Sequence, residues 1–529
     1  MKDMDRLVEI LAQKIRKQAH IRIIGDYDVD GVTSSHLFLT ALRRVGAKVD
    51  VVIPHRIQDG YGLSLHLLQQ AKEDGVDTIL TCDNGIAAID EIAWAKAQKM
   101  TVLVTDHHAV PFEEHEGRRT EKKSLADAVV NPHQQDCGYP YKELCGAGVA
   151  WNVIRVLYEN YDMDKREAED LLDFVAMATV CDVMSLTGEN RILVKEGLKR
   201  IRHTKNIGLQ ALMQACNVQP ENISAYHFGY VLGPCVNATG RLDTARHALR
   251  LFETGQETEA EEIARDLVDL NQERKELTLQ GVEMAKKLCE EGGYENDPVL
   301  VLFLPDVHES IAGLIAGRIR EMYNRPVFVL TRGEEGVKGS GRSTENYSMY
   351  ENMCGCAELF TKFGGHPMAA GLSLPEENVE KFRRKINENC PLTVEEVCPD
   401  IHIDMAMPVG YASTELVHQF ALLEPFGKDN PSPLFADRNL SISRMWLIGK
   451  NRNVLRMSVL SEYGQPVPVI FFGDVETLFA YFTEKFGQEE VENALHGRKN
   501  RILFSMVYTA KIDFYQGNEN LQLEMKYYR

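Results

Sequence analysis

The segment "GDYDVDG" at 25–31 crowds Asp26, Asp28 and Asp30 into five residues, directly after the apolar run "IRII". Like charges this close repel, and such carboxylates take up protons unless a cation neutralises them. Other apolar runs also end in polar chemistry. Asp83 follows "DTILTC", Asp106, His107 and His108 follow "TVLVT", and Asp182 follows "MATVC". Burying so many carboxylates without cations is prohibitive. An oxygen-rich set with one or two imidazoles and no cysteine suits Mn²⁺ or Mg²⁺ and argues against structural zinc. Two metals about 3.5–4 Å apart typify phosphoryl transfer, and a carboxylate must bridge them. Asp26 and Asp28, two residues apart on extended chain, share a face and can point at one site. Asp30, beside Gly31, and Asp90 are read as turn or helix-cap residues.

The elements that carry these residues read as α/β. "IRIIG" (21–25), "KVDVVIP" (48–54), "DTILTC" (77–82), "TVLVTD" (101–106) and "DAVVNP" (127–132) are short, nearly continuous apolar runs. Helical patterns such as "SSHLFLTALRRVG" and "AAIDEIAWAKAQ" lie between several of them. The alternation implies a parallel sheet covered on both faces. Ligands of such sheets gather at the carboxyl ends of the strands, where the acidic residues fall. A helical region over about 145–290 closes with "EAEEIARDLVDLNQERKELTLQGVEMAKKLCEEGG", which sets Ile263, Leu267, Leu270, Leu277 and Leu288 along one face of a long connecting helix. A second α/β unit runs from "PVLVLFLP" (298–305) to about 395 and holds the glycine-rich "KGSGRS" and "KFGGHPMAAG". From about 398 the pattern turns to strands, and a five-stranded barrel of the OB type fits. Such barrels often bind single strands. "GRKNR" (497–501) reads equally as a basic spot or a solvated turn. The expected divisions are 1–205, 206–292, 293–396 and 397–529.

With 529 residues, 44% hydrophobic and 26% charged, the chain is of the soluble globular class and long enough for about three domains. No apolar run is long enough to span a bilayer. The amphipathic start "MKDMDRLVEILAQKIRKQAH" is unlike a signal peptide. The eleven cysteines are scattered, and the C-x-C of Cys354 and Cys356 is poor zinc spacing. Reduced thiols in the cytoplasm are expected. A net charge of −19 disfavours non-specific nucleic-acid binding and leaves room only for a local basic groove.

These motifs resemble the DHH phosphoesterase superfamily, named for Asp-His-His, here at 106–108. "GDYDVDGVTSSHLF", "IPHRIQDGYGLS", "TCDNGI", "VVNPHQQDCGYPYKELCGAGVAW", "GPCVNATGRLDTA", "VHESIAGLIAGRI" and "LLEPFGKDNPSP" resemble, in order, the RecJ single-stranded-DNA exonucleases. The resemblance implies a catalytic DHH domain, a connecting helix, a DHHA1 domain across a cleft, and an OB-fold. It implies 5′-to-3′ removal of mononucleotides from single-stranded DNA with Mn²⁺ or Mg²⁺, in repair and recombination. A helicase or a single-strand-binding protein is the implied partner.

By the same resemblance, Asp26, Asp28, Asp83, His107 and Asp182 are metal ligands, with Asp83 as the bridge. His108 stabilises charge at the scissile phosphate, and Asp106 orients the neighbouring histidine. Asn237, Arg241, Ser340, Arg342 and Ser343 contact phosphate. Gly364, Gly365 and His366 form a close-approach loop, and Arg56 and Tyr61 touch the strand. The chain departs from the family pattern at Cys181, at Cys235, where an arginine is usual, and at Val307, His308, Glu309 and Ser310. Two other readings are a phosphodiesterase for short oligonucleotides or cyclic dinucleotides, and a non-catalytic nucleic-acid-binding relative.

Overall fold

The five apolar runs of the N-terminal region form five strands: β1 His20–Ile24, β2 Lys48–Val52, β3 Thr78–Cys82, β4 Thr101–Thr105 and β5 Ala128–Val130. They pair in parallel in the order β2-β1-β3-β4-β5. Successive side chains alternate between two cores, as the two-residue period of a strand requires. Ile21, Ile23, Leu80 and Leu103 face a core closed by the helices Val29–Arg44 and Gly146–Asn160. Ile24, Ile79, Val102 and Val104 face another, closed by the helices Leu65–Glu73 and Ile89–Ala97. Asp90 sits in the first turn of the last helix, where the helix dipole favours a carboxylate.

The computed structural model describes all residues except 57, 58, 61, 116, 117, 243, 295, 296, 334, 335, 393–400, 450, 451, 516 and 517. The second sheet contains β6 Leu300–Phe303, β7 Val327–Gly333, β8 Gly336–Arg342, β9 Lys362–His366 and β10 Ala369–Leu374, in the order β9-β10-β8-β7-β6. Only the β6–β7 pair is parallel. The helix Glu257–Glu291 joins the two lobes. Its first half gives Ala260, Ile263, Ala264 and Leu267 to the N-terminal core, and its second half gives Val282, Ala285 and Cys289 to the second. One helix therefore holds both lobes of the compact unit Met1–Pro399.

Asp400–Arg529 forms a separate compact unit. Its strands β11 Phe435–Ile448, β12 Val454–Leu460, β13 Pro466–Phe471, β14 Leu503–Tyr515 and β15 Asn518–Tyr528 run in the order β11-β12-β13-β15-β14. Pairing of β14 back onto β11 closes the barrel. The region is not all strand. The helices Val475–Phe486 and Gln488–Leu495 connect β13 to β14 and pack Leu478, Phe482, Val491 and Ala494 into the barrel core. "GRKNR" lies between helix and strand, where Asn500 Nδ2 donates to the Ile442 carbonyl at 2.8 Å and Arg501 pairs with Glu490 at 2.7 Å. Among the described residues no helix is long and apolar enough to cross a membrane.

Candidate metal centre

The acidic residues converge at the carboxyl ends of β1, β3 and β4. Asp26 follows β1 and is buried. Asp28 ends the linker as N-cap of the helix Val29–Arg44, its Oδ1 accepting from the Gly31 amide at 2.9 Å. A Cβ on Gly31 would lie 2.5 Å from the Asp26 carbonyl oxygen, so only glycine permits this tight turn. Asp83 follows β3 with φ 61°, a left-handed bend rarely adopted by residues other than glycine. Beside it, Asn84 Nδ2 donates to the Ile24 carbonyl at 3.1 Å and to the Cys82 carbonyl at 2.9 Å, tying the ends of β1 and β3 together.

Asp106, after β4, holds the two imidazoles. Its Oδ1 accepts from the amides of His107 at 2.7 Å and His108 at 3.0 Å, and lies 2.8 Å from His108 Nδ1. Its Oδ2 accepts from the Ile86 amide at 2.8 Å. Burial opposes the Asp106 charge, but the hydrogen bond from His108, the nearby imidazoles and these amides hold its pKa below the usual range. Burial likewise opposes the His108 charge, and the Asp106 bond outweighs it, raising the imidazole to about 9. Asn131 Nδ2 donates to the His108 carbonyl at 2.9 Å and fixes the backbone from the β5 side.

His107 is buried and turns Nε2 toward three carboxylates: Asp83 Oδ1 at 3.1 Å, Asp182 Oδ2 at 3.6 Å and Asp30 Oδ2 at 3.7 Å. Three groups that could each hold an ion result, with candidate donor atoms within 4.8 Å of one another: Asp26, Asp28 and Asp83; Asp83, His107 and His108; Asp30, His107 and Asp182. Asp83 belongs to the first two and His107 to the last two. The donors suit hard divalent cations. Asp26 Oδ1 is buried with no hydrogen-bond partner among the described residues, as expected of an atom meant for an ion. Burial first, then neighbouring carboxylates, raise the pKa values of Asp26 and Asp83 well above the ordinary range.

Asp30 departs from its expected role. The helix begins at Val29, so Asp30 is already helical and its own cap is Asp28. Its carboxylate instead caps a distant helix, accepting from the Gly146 amide at 2.6 Å and the Ala147 amide at 2.7 Å. A Cβ on Gly146 would sit 2.6 Å from Asp83 Cβ, so glycine is required where that helix N-terminus meets the centre. Asp30 thus joins the His107 and Asp182 set.

A cavity of about 460 Å³ adjoins the centre, lined in part by Tyr27, Arg56, Arg241, Lys338, Ser340 and Arg342. Tyr27 stands between Asp26 and Asp28, and the Arg56 guanidinium lies 4.9 Å from its ring centre. Arg241 Nη1 donates to the Ser310 carbonyl at 2.6 Å. Burial and the charges of Arg56, Arg274 and Arg342 lower its pKa to about 10. Burial also lowers Arg342, helped by Arg320 and Arg56. These cations repel one another, and an anion in the cavity would relieve them.

Several expected contacts sit elsewhere. Asn237 Oδ1 accepts from the Val29 amide at 3.1 Å and so braces the aspartate turn. Ser343 is buried, its hydroxyl donating to the Tyr347 carbonyl at 2.5 Å, and it does not line the cavity. Gly364, Gly365 and His366 lie on β9, not in a loop; Gly364 lines the cavity and His366 is exposed. Tyr61 lies outside the described residues. Of the departures, Cys235 is buried beside Cys216, with Sγ atoms 3.8 Å apart, and Val307 packs in the second lobe's core. Tyr27, Lys338 and Lys362 are cavity residues that sequence reasoning missed.

Family models match along the chain: "DHH family, N-terminal domain" over 20–179, "DHHA1 domain" over 296–390 and "RecJ OB domain" over 403–527. The single-stranded-DNA-specific exonuclease RecJ of Haemophilus influenzae is 33% identical over 545 residues, covering 99% of this chain and 90% of that protein. The chain belongs to the RecJ family. The Bacillus subtilis RecJ is also 33% identical, over 469 residues, and this chain spans 58% of its length. Among solved structures, RecJ in complex with Mn²⁺ from Thermus thermophilus is similar to this family member with a TM-score of 0.80 at 26% identity, covering 100% of this chain and 72% of that one. A manganese-bound exonuclease RecJ has a TM-score of 0.63 at 32% identity, covering 73% of this chain and 94% of that one.

The raised carboxylates set a pH dependence. A group whose pKa is higher folded than unfolded stabilises fully below its unfolded value and loses that contribution as pH rises through the folded value. The metal-free protein is therefore expected to lose heat stability as pH rises above the ordinary carboxylate range, because Asp26 and Asp83 must then ionise while buried and beside other carboxylates. Mn²⁺ should restore it, with a Tm increment that grows with pH. Thermal melts with and without Mn²⁺ across that range check this; an increment independent of pH contradicts it.

Proposed function

We propose that the chain is a metal-dependent 5′-to-3′ exonuclease specific for single-stranded DNA that releases 5′-mononucleotides. The observation that carries this reading is the cation-lined cavity set against the acidic centre, with Tyr27 at their junction. Asp26, Asp28, Asp83, His107 and Asp182, joined by Asp30, would hold two Mn²⁺ or Mg²⁺ ions, with Asp83 shared. Bound there, such ions neutralise phosphate charge and make a water nucleophilic at neutral pH. The chain's own groups do the rest. Arg241 and Arg342 hold a terminal 5′-phosphate, which sets the next phosphodiester one nucleotide away over the aspartates. Asp106 fixes the His108 ring through Nδ1, so any phosphate contact is made by Nε2. The His108 imidazolium offsets negative charge developing on the phosphate.

On this reading, a cavity that takes a terminal 5′-phosphate would admit a strand by its 5′ end, which gives the proposed polarity. The barrel of Asp400–Arg529 is proposed to bind single-stranded DNA. A helicase or single-strand-binding protein in the cytoplasm is the proposed source of substrate.

Degradation of 5′- and 3′-end-labelled single- and double-stranded DNA and RNA, with Mn²⁺ or Mg²⁺, tests the proposal. The expected result is a labelled mononucleotide as first product from 5′-labelled single-stranded DNA alone. Preferred cleavage of dinucleotides, or label released first from the 3′ end, would overturn it. Arg342→Ala should raise KM for a 5′-phosphorylated strand by roughly 10- to 100-fold, the loss of one or two charge-assisted hydrogen bonds. A 5′-hydroxyl strand should be affected far less. Equal effects on both would remove Arg342 from the terminal phosphate.

A further inference from the structure

Two tyrosines stand outside the site described above. Tyr226 and Tyr230 are 62% and 70% exposed, yet their rings stack with centroids 5.1 Å apart and planes 24° from parallel. Large exposed aromatics normally gain by burial, so a stacked exposed pair calls for a partner with its own flat apolar face. The backbone beneath them is unusual. Phe228–Leu232 forms a π-helical turn, a rare conformation frequent at functional sites. That turn is fastened to the metal centre: the Cys181 thiol donates to the Phe228 carbonyl at 3.2 Å, and Asp182 is the next residue after Cys181. Val183 follows with φ 55° and 62% exposure, a strained geometry for a β-branched residue.

The turn leads directly into the helix Gly233–Leu242. That helix carries Asn237, which braces the aspartate turn, and Arg241, which lines the cation cavity. One continuous segment thus begins at the aromatic pair, passes the aspartates and ends at the phosphate cavity. With its terminal phosphate by Arg241 and its first linkage over the aspartates, a strand following this segment would run toward the aromatic end. Nucleobases supply the flat face these rings lack, and stacking tolerates every base, as a sequence-indifferent nuclease requires.

We propose that Tyr226 and Tyr230 form a base-stacking subsite for nucleotides beyond the first two on the 3′ side of the cleaved linkage. This rests on the reading of the chain as a single-strand exonuclease. Stacking would hold the strand in register and favour substrates long enough to reach the pair.

The test compares full-length wild type, Tyr226→Ala/Tyr230→Ala and Tyr226→Phe/Tyr230→Phe on a labelled oligothymidylate and on a trinucleotide. The alanine variant should raise KM for the long strand about tenfold or more, the size of one lost base stack, with kcat nearly unchanged. The trinucleotide KM should not move, and the phenylalanine variant should match wild type on both. Fluorescence anisotropy of the same oligothymidylate with Ca²⁺ replacing the catalytic ion reads binding without turnover. If wild type cleaves nothing, the exonuclease reading fails, and the anisotropy arm still decides the subsite: weaker binding by the alanine variant supports it. Unchanged long-strand affinity in a folded alanine variant overturns it, as does equal weakening on both substrates.

Discussion

Asp83→Asn is expected to lower kcat for single-stranded DNA by at least roughly a thousandfold, well beyond the 10- to 100-fold typical of an outer-shell partner. The reason is position. Asp83 is buried, and it is shared by the set with Asp26 and Asp28 and the set with His107 and His108. Losing it removes a ligand from both at once. The fold should survive. Asparagine is close in size, tolerates the left-handed backbone at φ 61°, and removes one charge from a crowded buried group. Metal-free Asp83→Asn should therefore melt no lower than wild type but lose most of the Mn²⁺-induced rise in Tm. Retained turnover in the purified variant would sink the assignment.

The second large effect is expected at Asp106. It belongs to none of the three sets, yet it accepts from the amides of Ile86, His107 and His108 and from the His108 ring. Asp106→Ala leaves buried donors unpaired, costing about 1–3 kcal/mol each before relaxation. It also frees the His108 imidazole to rotate. We expect a Tm loss of several degrees together with a 10- to 100-fold fall in activity or metal affinity. The sign of the pH effect differs from that at Asp83. The depressed Asp106 pKa contributes stability above its unfolded value near 4 that is lost as pH falls through the folded value. Acid melts of wild type and Asp106→Ala should thus converge. A variant with unchanged His108 titration by NMR would show that the contact orients nothing.

The strands of both regular regions were legible because their apolar runs are short, β-branched and punctuated. "IRIIG", "DTILTC" and "TVLVTD" became β1, β3 and β4 nearly to the residue, and the strand pattern from about 398 became the closed five-stranded barrel. The apolar face over Ile263 and Leu267 likewise reads directly as the connecting helix. The barrel helices were hidden, since "VETLFAYFTEKF" is apolar and aromatic enough to read as strand.

The site was legible where function needs rare residue types at strand ends, and illegible where long-range geometry decides. Asp30 receives amides from residues 146 and 147, more than a hundred positions away, and no local spacing announces that. Asn237 Oδ1 accepts from the Val29 amide and the Ser343 hydroxyl donates to the Tyr347 carbonyl, partners that local sequence does not announce. Nothing local singles out Tyr226 and Tyr230; the π turn and their exposure do.

The shared role of Asp83 is tested most directly by anomalous diffraction from crystals soaked in Mn²⁺. The account predicts two manganese peaks about 3.5–4 Å apart, with an Asp83 oxygen on each. A single peak, or a pair to which Asp83 contributes no oxygen, would contradict it.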